Sequence, residues 1–79
     1  MTETEIRQAI ADSLRGIAPE ADLATIPPTS NMREALDIDS FDFLNLLIGL
    51  HTRLGVEIPE ADYGKLATLA EMIEYLKAK

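Results

Sequence analysis

Ser40 follows Asp39, and the only histidine, His51, stands eleven residues further on. A serine nucleophile needs a base within hydrogen-bond reach. Both residues fall on one helical run, where eleven residues span ~16 Å. His51 therefore cannot activate Ser40 within the chain, and is read as a surface residue. Two other roles remain for Ser40. It can cap the helix, since Ser and Asp at such a start accept hydrogen bonds from the first turn. It can also be modified by another protein, because a phosphate ester there would sit at the positive end of a helix. The acids Asp37, Asp39 and Asp42 crowd the same place. A calcium loop would need an oxygen ligand, glycine and glutamate at its fifth, sixth and twelfth positions. Counted from Asp37, those places hold Phe41, Asp42 and Ile48, so no metal site is expected. Acids at a helix start are favourable in themselves. Glu57, Glu60, Asp62, Glu71 and Glu74 read as a solvated acidic surface.

The elements that position these residues are all helical. Thr2 and Glu5 fit a capping box, and Ile6, Ala9, Ile10, Leu14 and Ile17 form one apolar stripe, predicting a helix over 2–17. Gly16 and Pro19 stop it. From Ala18 to Asp39 the chain reads as a long loop broken by Pro19, Pro27 and Pro28, with a short helical turn over 31–36. Leu23, Ile26, Met32 and Leu36 are available to pack it down. Asp39 or Ser40 opens a second long helix that ends at Leu54, before Gly55. Pro59 suits the start of a short third helix over 60–65. Thr68 and Glu71 form a second capping box ahead of Leu69, Met72, Ile73 and Leu76. Lys77 and Lys79 sit at the favourable end of that last helix. The expected fold is a small all-α four-helix bundle, three helices longer and one short, with a long loop between the first two. It occupies residues 1–79 as a single domain.

At about 100° per residue, Phe43, Leu46, Leu47, Leu50 and Leu54 share the core face of the second long helix. Phe41, Leu44 and Ile48 fall nearly opposite. That second stripe is either covered by the long loop or exposed as a docking site flanked by Asn45, His51 and Thr52.

Composition narrows the function classes. The 79 residues carry seven basic and fourteen acidic side chains, a net charge of −7, and 47% hydrophobic residues. That is too apolar for a disordered acidic tail. The charge argues against nucleic acid and against anionic membranes, and points to basic protein partners. No run is long enough to span a bilayer, and the polar start is unlike a signal peptide, so a cytoplasmic monomer is expected. No cysteine is present, so neither a disulfide nor a thiolate site can support the core.

Asp39-Ser40-Phe41 resembles the Asp-Ser-Leu motif of acyl carrier proteins. The resemblance extends to Ser30-Asn31-Met32 with Leu36 before the motif, and to Phe41 through Leu54 as the family's second helix. Val56-Glu57-Ile58-Pro59 resembles its exit turn, and Thr68 to Leu76 its last helix. The resemblance implies that Ser40 receives 4′-phosphopantetheine from coenzyme A through a phosphopantetheinyl transferase, with Asp39 helping that enzyme engage. It implies a carrier and not an enzyme, holding acyl groups as thioesters between enzymes of fatty acid, lipid or polyketide biosynthesis. Phe41, Leu44, Ile48 and Asp42 would meet partner enzymes with basic docking surfaces. Met32, Phe43, Leu46, Leu50 and Ile58 would border a pocket for the acyl chain. Phe41 stands where leucine is usual, and Asn45, His51 and Thr52 stand where the fatty-acid-synthesis members often have glutamate. These departures imply a specialised carrier. An aminoacyl or peptidyl carrier, or a carrier-like interaction module that is never modified, are the alternatives.

Overall fold

The computed structural model describes residues 1–79 as an all-α bundle of four helices, three of them longer. Helix α1 spans Glu3–Leu14, α2 Met32–Leu36, α3 Ser40–Leu54 and α4 Leu69–Lys77. Two 3-10 pieces, Leu23–Thr25 and Glu60–Leu66, complete the order. No helix is long and apolar enough to cross a membrane.

Each helix is placed by its caps. The Thr2–Glu5 capping box closes in both directions, with Glu5 N donating to Thr2 Oγ1 at 3.2 Å and Thr2 N to Glu5 Oε1 at 3.0 Å. Helix α1 ends three residues before the expected Ile17, and the backbone N–H groups of Ile17 and Ala18 both turn back to the Leu14 carbonyl. Gly16 is a poor helix former, and Pro19 disfavours a helical Ala18. Ile17 still packs on the core from the turn. At the other end of the bundle, Thr68 caps α4 by accepting from Glu71 N at 3.1 Å. Only this half of the second capping box forms, and Thr68 pairs instead with Asn31 in a one-residue antiparallel bridge. Met32 N donates to the Ala67 carbonyl at 2.8 Å and Ala70 N to the Pro28 carbonyl at 3.0 Å. The long loop is thereby stitched to the start of α4, which pairs some of its irregular backbone's polar groups.

The expected third helix exists in a tighter form. Glu60–Leu66 is 3-10, with no side-chain cap at Pro59. Its seven residues include Gly64, and such a short uncapped run gains little from α-helical bonding. Leu66 anchors it in the core.

One cluster forms the core. Ile6, Ile10 and Leu14 of α1 meet Leu46, Leu47 and Leu50 of α3 and Leu69, Met72 and Leu76 of α4. Ile26 of the loop and Met32 of α2 are buried in this cluster, and Leu23 and Leu36 pack against it. Helices α1 and α3 pack tightly where Ser13 faces Gly49. A Cβ at position 49 would lie 2.9 Å from Ser13 Oγ, so only glycine fits this crossing as it stands.

Candidate functional site

The start of α3 is held by Asp39, not Ser40. Asp39 is extended, and its Oδ1 accepts from Asp42 N at 2.8 Å. Ser40 is the first residue inside the helix and is exposed. The reading of Ser40 as the cap is therefore corrected: a residue already in helical conformation cannot fold its side chain back onto the first-turn amides. The backbone amides of Ser40 and Phe41 have no acceptor in the chain, as expected for the first turn of a helix. Upstream, Asn31 Oδ1 caps α2 by accepting from Arg33 N and Glu34 N. Asp37 closes α2 in the left-handed conformation at φ 54°, and Ile38 N returns to the Arg33 carbonyl at 3.0 Å. This tight reversal takes the chain directly from α2 into Asp39. A non-glycine residue in that conformation is uncommon, and Asp is among the types that tolerate it.

Along α3 the two apolar faces separate. Leu47 is 1% exposed, whereas Phe41 is 68% and Ile48 50% exposed. Leu44 between them is half-buried, and Asp42 flanks them in the first turn. The long loop leaves Phe41 and Ile48 uncovered. Of the residues linked by resemblance to an acyl pocket, Met32, Leu46, Leu50 and Ile58 lie together in the core, and Phe43 packs against them half-buried. A cleft of about 150 Å³ opens between α3 and the 3-10 segment, lined by Leu47, Ile48, His51, Glu57, Ile58 and Tyr63.

His51 is exposed, as read from sequence, but it is also fixed. Its Nδ1–H donates to the Val56 carbonyl at 2.6 Å, while its own carbonyl accepts from Gly55 N at 2.9 Å. Gly55 provides the left-handed residue this exit turn requires, at φ 67°. A second tie joins the 3-10 segment to α4. Tyr75 Oη donates to Asp62 Oδ2 at 2.6 Å, and Lys65 Nζ lies 3.3 Å from Asp62 Oδ1. The tyrosine hydrogen bond, assisted by Lys65, lowers the Asp62 carboxyl below its usual range. The same hydrogen bond, with burial, raises the Tyr75 phenol. Sequence pattern could not find this pair, since a separation of thirteen residues across a turn matches no local rule. His51 and Val56 offered a weaker signal, a polar side chain one turn before a glycine stop.

Fold and site together define a small helical domain that presents a serine at the head of a capped helix. The family model described as "Phosphopantetheine attachment site" matches residues 4–76. The acyl carrier protein of Lactobacillus johnsonii is 40% identical over 78 residues, 99% of this chain and 96% of that protein. The acyl carrier protein of Chlorobium luteolum is 33% identical over the whole of both chains. The mitochondrial acyl carrier protein of Dictyostelium discoideum is 32% identical over 86% of this chain and 58% of its own length. The chain belongs to the acyl carrier protein family. Membership implies a 4′-phosphopantetheine prosthetic group.

The residues at the head of α3 fit such a group. An exposed hydroxyl accepts a phosphodiester without displacing a native contact. The free amides of Ser40 and Phe41 and the helix dipole favour its negative charge, while the carboxylates of Asp39 and Asp42 oppose it.

Proposed function

We propose that this domain carries acyl groups on a phosphopantetheine arm attached at Ser40, as a carrier and not as an enzyme. The observation that carries the reading is the division of labour at the head of α3. Asp39 supplies the structural hydrogen bond, so the Ser40 hydroxyl is exposed and free for an incoming phosphoryl group. When attached, the group supplies a terminal thiol that holds acyl cargo as a thioester. Asp39 and Asp42 add negative charge beside the serine, which suits a transferase with a basic docking surface. Phe41, Leu44 and Ile48 form the apolar centre of the face that meets this enzyme and later acyl-handling partners. Met32, Phe43, Leu46, Leu50 and Ile58 form the apolar wall nearest the cargo. The domain over residues 1–79 needs no histidine or metal for this task. His51 is pinned to the exit turn of α3, at the end opposite Ser40.

Intact mass after incubation with coenzyme A and a broad-specificity phosphopantetheinyl transferase tests the reading. The wild type should gain one phosphopantetheine and Ser40→Ala none. Equal gain by both proteins moves the attachment elsewhere. No gain by the wild type favours an unmodified interaction module.

A further inference from the structure

We infer that Arg53 sets partner specificity on the outer face of α3: the enzyme this face fits carries a carboxylate opposite Arg53, as well as basic groups opposite Asp39 and Asp42. The inference rests on the reading of that face as the one that meets partners of the Ser40 arm. Helix α3 holds one acid, Asp42 in its first turn, and one arginine, Arg53 in its last. From Phe43 to Val56 the chain has no Asp or Glu. Eleven residues separate Asp42 from Arg53, about 16 Å of rise and three turns to within ~20°. The two charges therefore stand on one flank of the helix, at its opposite ends. The exposed Phe41, Ile48 and Thr52 run alongside them. A separation of ~16 Å exceeds the Debye length of ~8 Å at physiological salt, so the two ends act independently.

Arg53 is exposed, and it forms no ion pair in a chain with fourteen acids and seven bases. The acids that share its groove against α1, Glu5 and Asp12, are already engaged. Glu5 Oε1 accepts from Thr2 N at 3.0 Å. Asp12 Oδ1 accepts from Gln8 Nε2 and lies 3.0 Å from Arg15 Nη1. The guanidinium fork is thus left for an acceptor outside the chain, and a carboxylate matches it in charge and geometry. A docking surface basic along its whole length is attracted at Asp39 and Asp42 and repelled at Arg53. One with an acid at the far end gains at both.

Loading from coenzyme A by a broad-specificity phosphopantetheinyl transferase with a basic docking surface, followed by intact mass, provides the test. If neither wild type nor any variant loads, the attachment reading falls, and this inference with it. Arg53→Glu should raise kcat/KM roughly 2–30-fold, through KM, the range for an exposed pair counted once for repulsion lost and once for attraction gained. Arg53→Gln should fall between, and it carries the test should a carboxylate at the negative end of α3 unfold the domain. Lys77→Glu makes the same change of net charge at the end of α4 and should stay near the wild-type rate. Equal gains from Arg53→Glu and Lys77→Glu overturn the local role in favour of bulk steering. Single basic residues of the transferase's docking surface are then changed to Glu. At least one such enzyme should load the wild type faster than its parent does, and Arg53→Glu more slowly. Absence of that crossover overturns the carboxylate. Sedimentation should find a monomer, and a dimer that Arg53→Glu dissociates would give the face to a second copy of this chain instead.

Discussion

Asp39 and Ser40 are adjacent and both polar, yet they should respond to truncation in opposite ways. Asp39→Ala removes the oxygen that accepts from Asp42 N at 2.8 Å. Loss of such a cap costs about 0.5–2 kcal/mol. A domain of this size loses about 4–8 °C in Tm per kcal/mol, so the expected drop is about 2–16 °C. Ser40→Ala removes an exposed hydroxyl from a position already inside the helix. Alanine is the better helix former, so Tm should hold or rise slightly. Asp39→Asn separates the two roles of Asp39. Asparagine caps as well as aspartate, so its melt should match wild type, while its slower loading by a transferase would measure the charge alone. Thermal melts by circular dichroism and loading followed by intact mass give both readouts on all three variants. A Tm loss in Ser40→Ala equal to that of Asp39→Ala would refute the assignment of the cap. The free hydroxyl on which the proposed attachment rests would then be gone.

Three further outcomes follow from the packing. Leu47→Ala should cost about 2–5 kcal/mol through a core cavity, whereas Ile48→Glu, at a site half exposed, should keep its melt and lose transferase loading; an unfolded Ile48→Glu beside an intact Leu47→Ala would reverse the two faces. Ser13 Oγ is buried without a hydrogen-bond partner, so Ser13→Ala should raise Tm, while Gly49→Ala, whose Cβ would meet that oxygen at 2.9 Å, should lower it by overpacking worth about 1–3 kcal/mol. The Asp62–Tyr75 bond lowers the acid and raises the phenol, so its contribution is present between their unfolded pKa values, about 4 and about 10. It is lost as pH falls through the folded Asp62 value or rises through the folded Tyr75 value. Tyr75→Phe should therefore lower Tm at pH 7 and flatten the alkaline limb of the Tm–pH curve, and an unchanged alkaline limb would remove this pair from the account.

The residues that read correctly in the sequence are those governed by local periodicity. Leu46, Leu47 and Leu50 fall on one face at helical spacing, and that face is the core. Thr2 with Glu5 and Gly55 mark helix ends through contacts that span three or four residues, so their chemistry is visible locally. The errors fall where a local rule has two solutions. Asp39 and Ser40 are equally good caps by type, and only the backbone, extended at one and helical at the other, decides between them. The Glu60–Leu66 stretch carries a helix-start proline, but nothing in its spacing distinguishes a 3-10 coil from a short α-helix. The exposure of Phe41 and Ile48 depends on where the long loop lies. That loop is placed by the Met32–Ala67 and Ala70–Pro28 hydrogen bonds, between residues more than thirty positions apart. The Asp62–Tyr75 tie has the same non-local origin.

Separation of the holding residue from the presenting one has a thermodynamic consequence. Had Ser40 been the cap, esterifying its oxygen would have weakened the first turn of α3, and modification would have been coupled to folding by about the cap's energy. With Asp39 in that role, the hydrogen bond at Asp42 N does not involve the Ser40 oxygen, so the proposed modification of Ser40 leaves the cap its acceptor. If Ser40 is modified as proposed, the apo and modified domains are expected to share one α3, and with it one arrangement of Phe41, Leu44 and Ile48 on the outer face. A partner that reads this face therefore cannot sense the arm through a change in the fold. On the proposed reading, it must discriminate by direct contact with the arm or its cargo. The 3-10 segment Glu60–Leu66 is uncapped and is held by Leu66 and the Asp62–Tyr75 bond. Displacing it would withdraw Leu66 from the core that α1, α3 and α4 share, so packing ties it to the bundle as firmly as that hydrogen bond does.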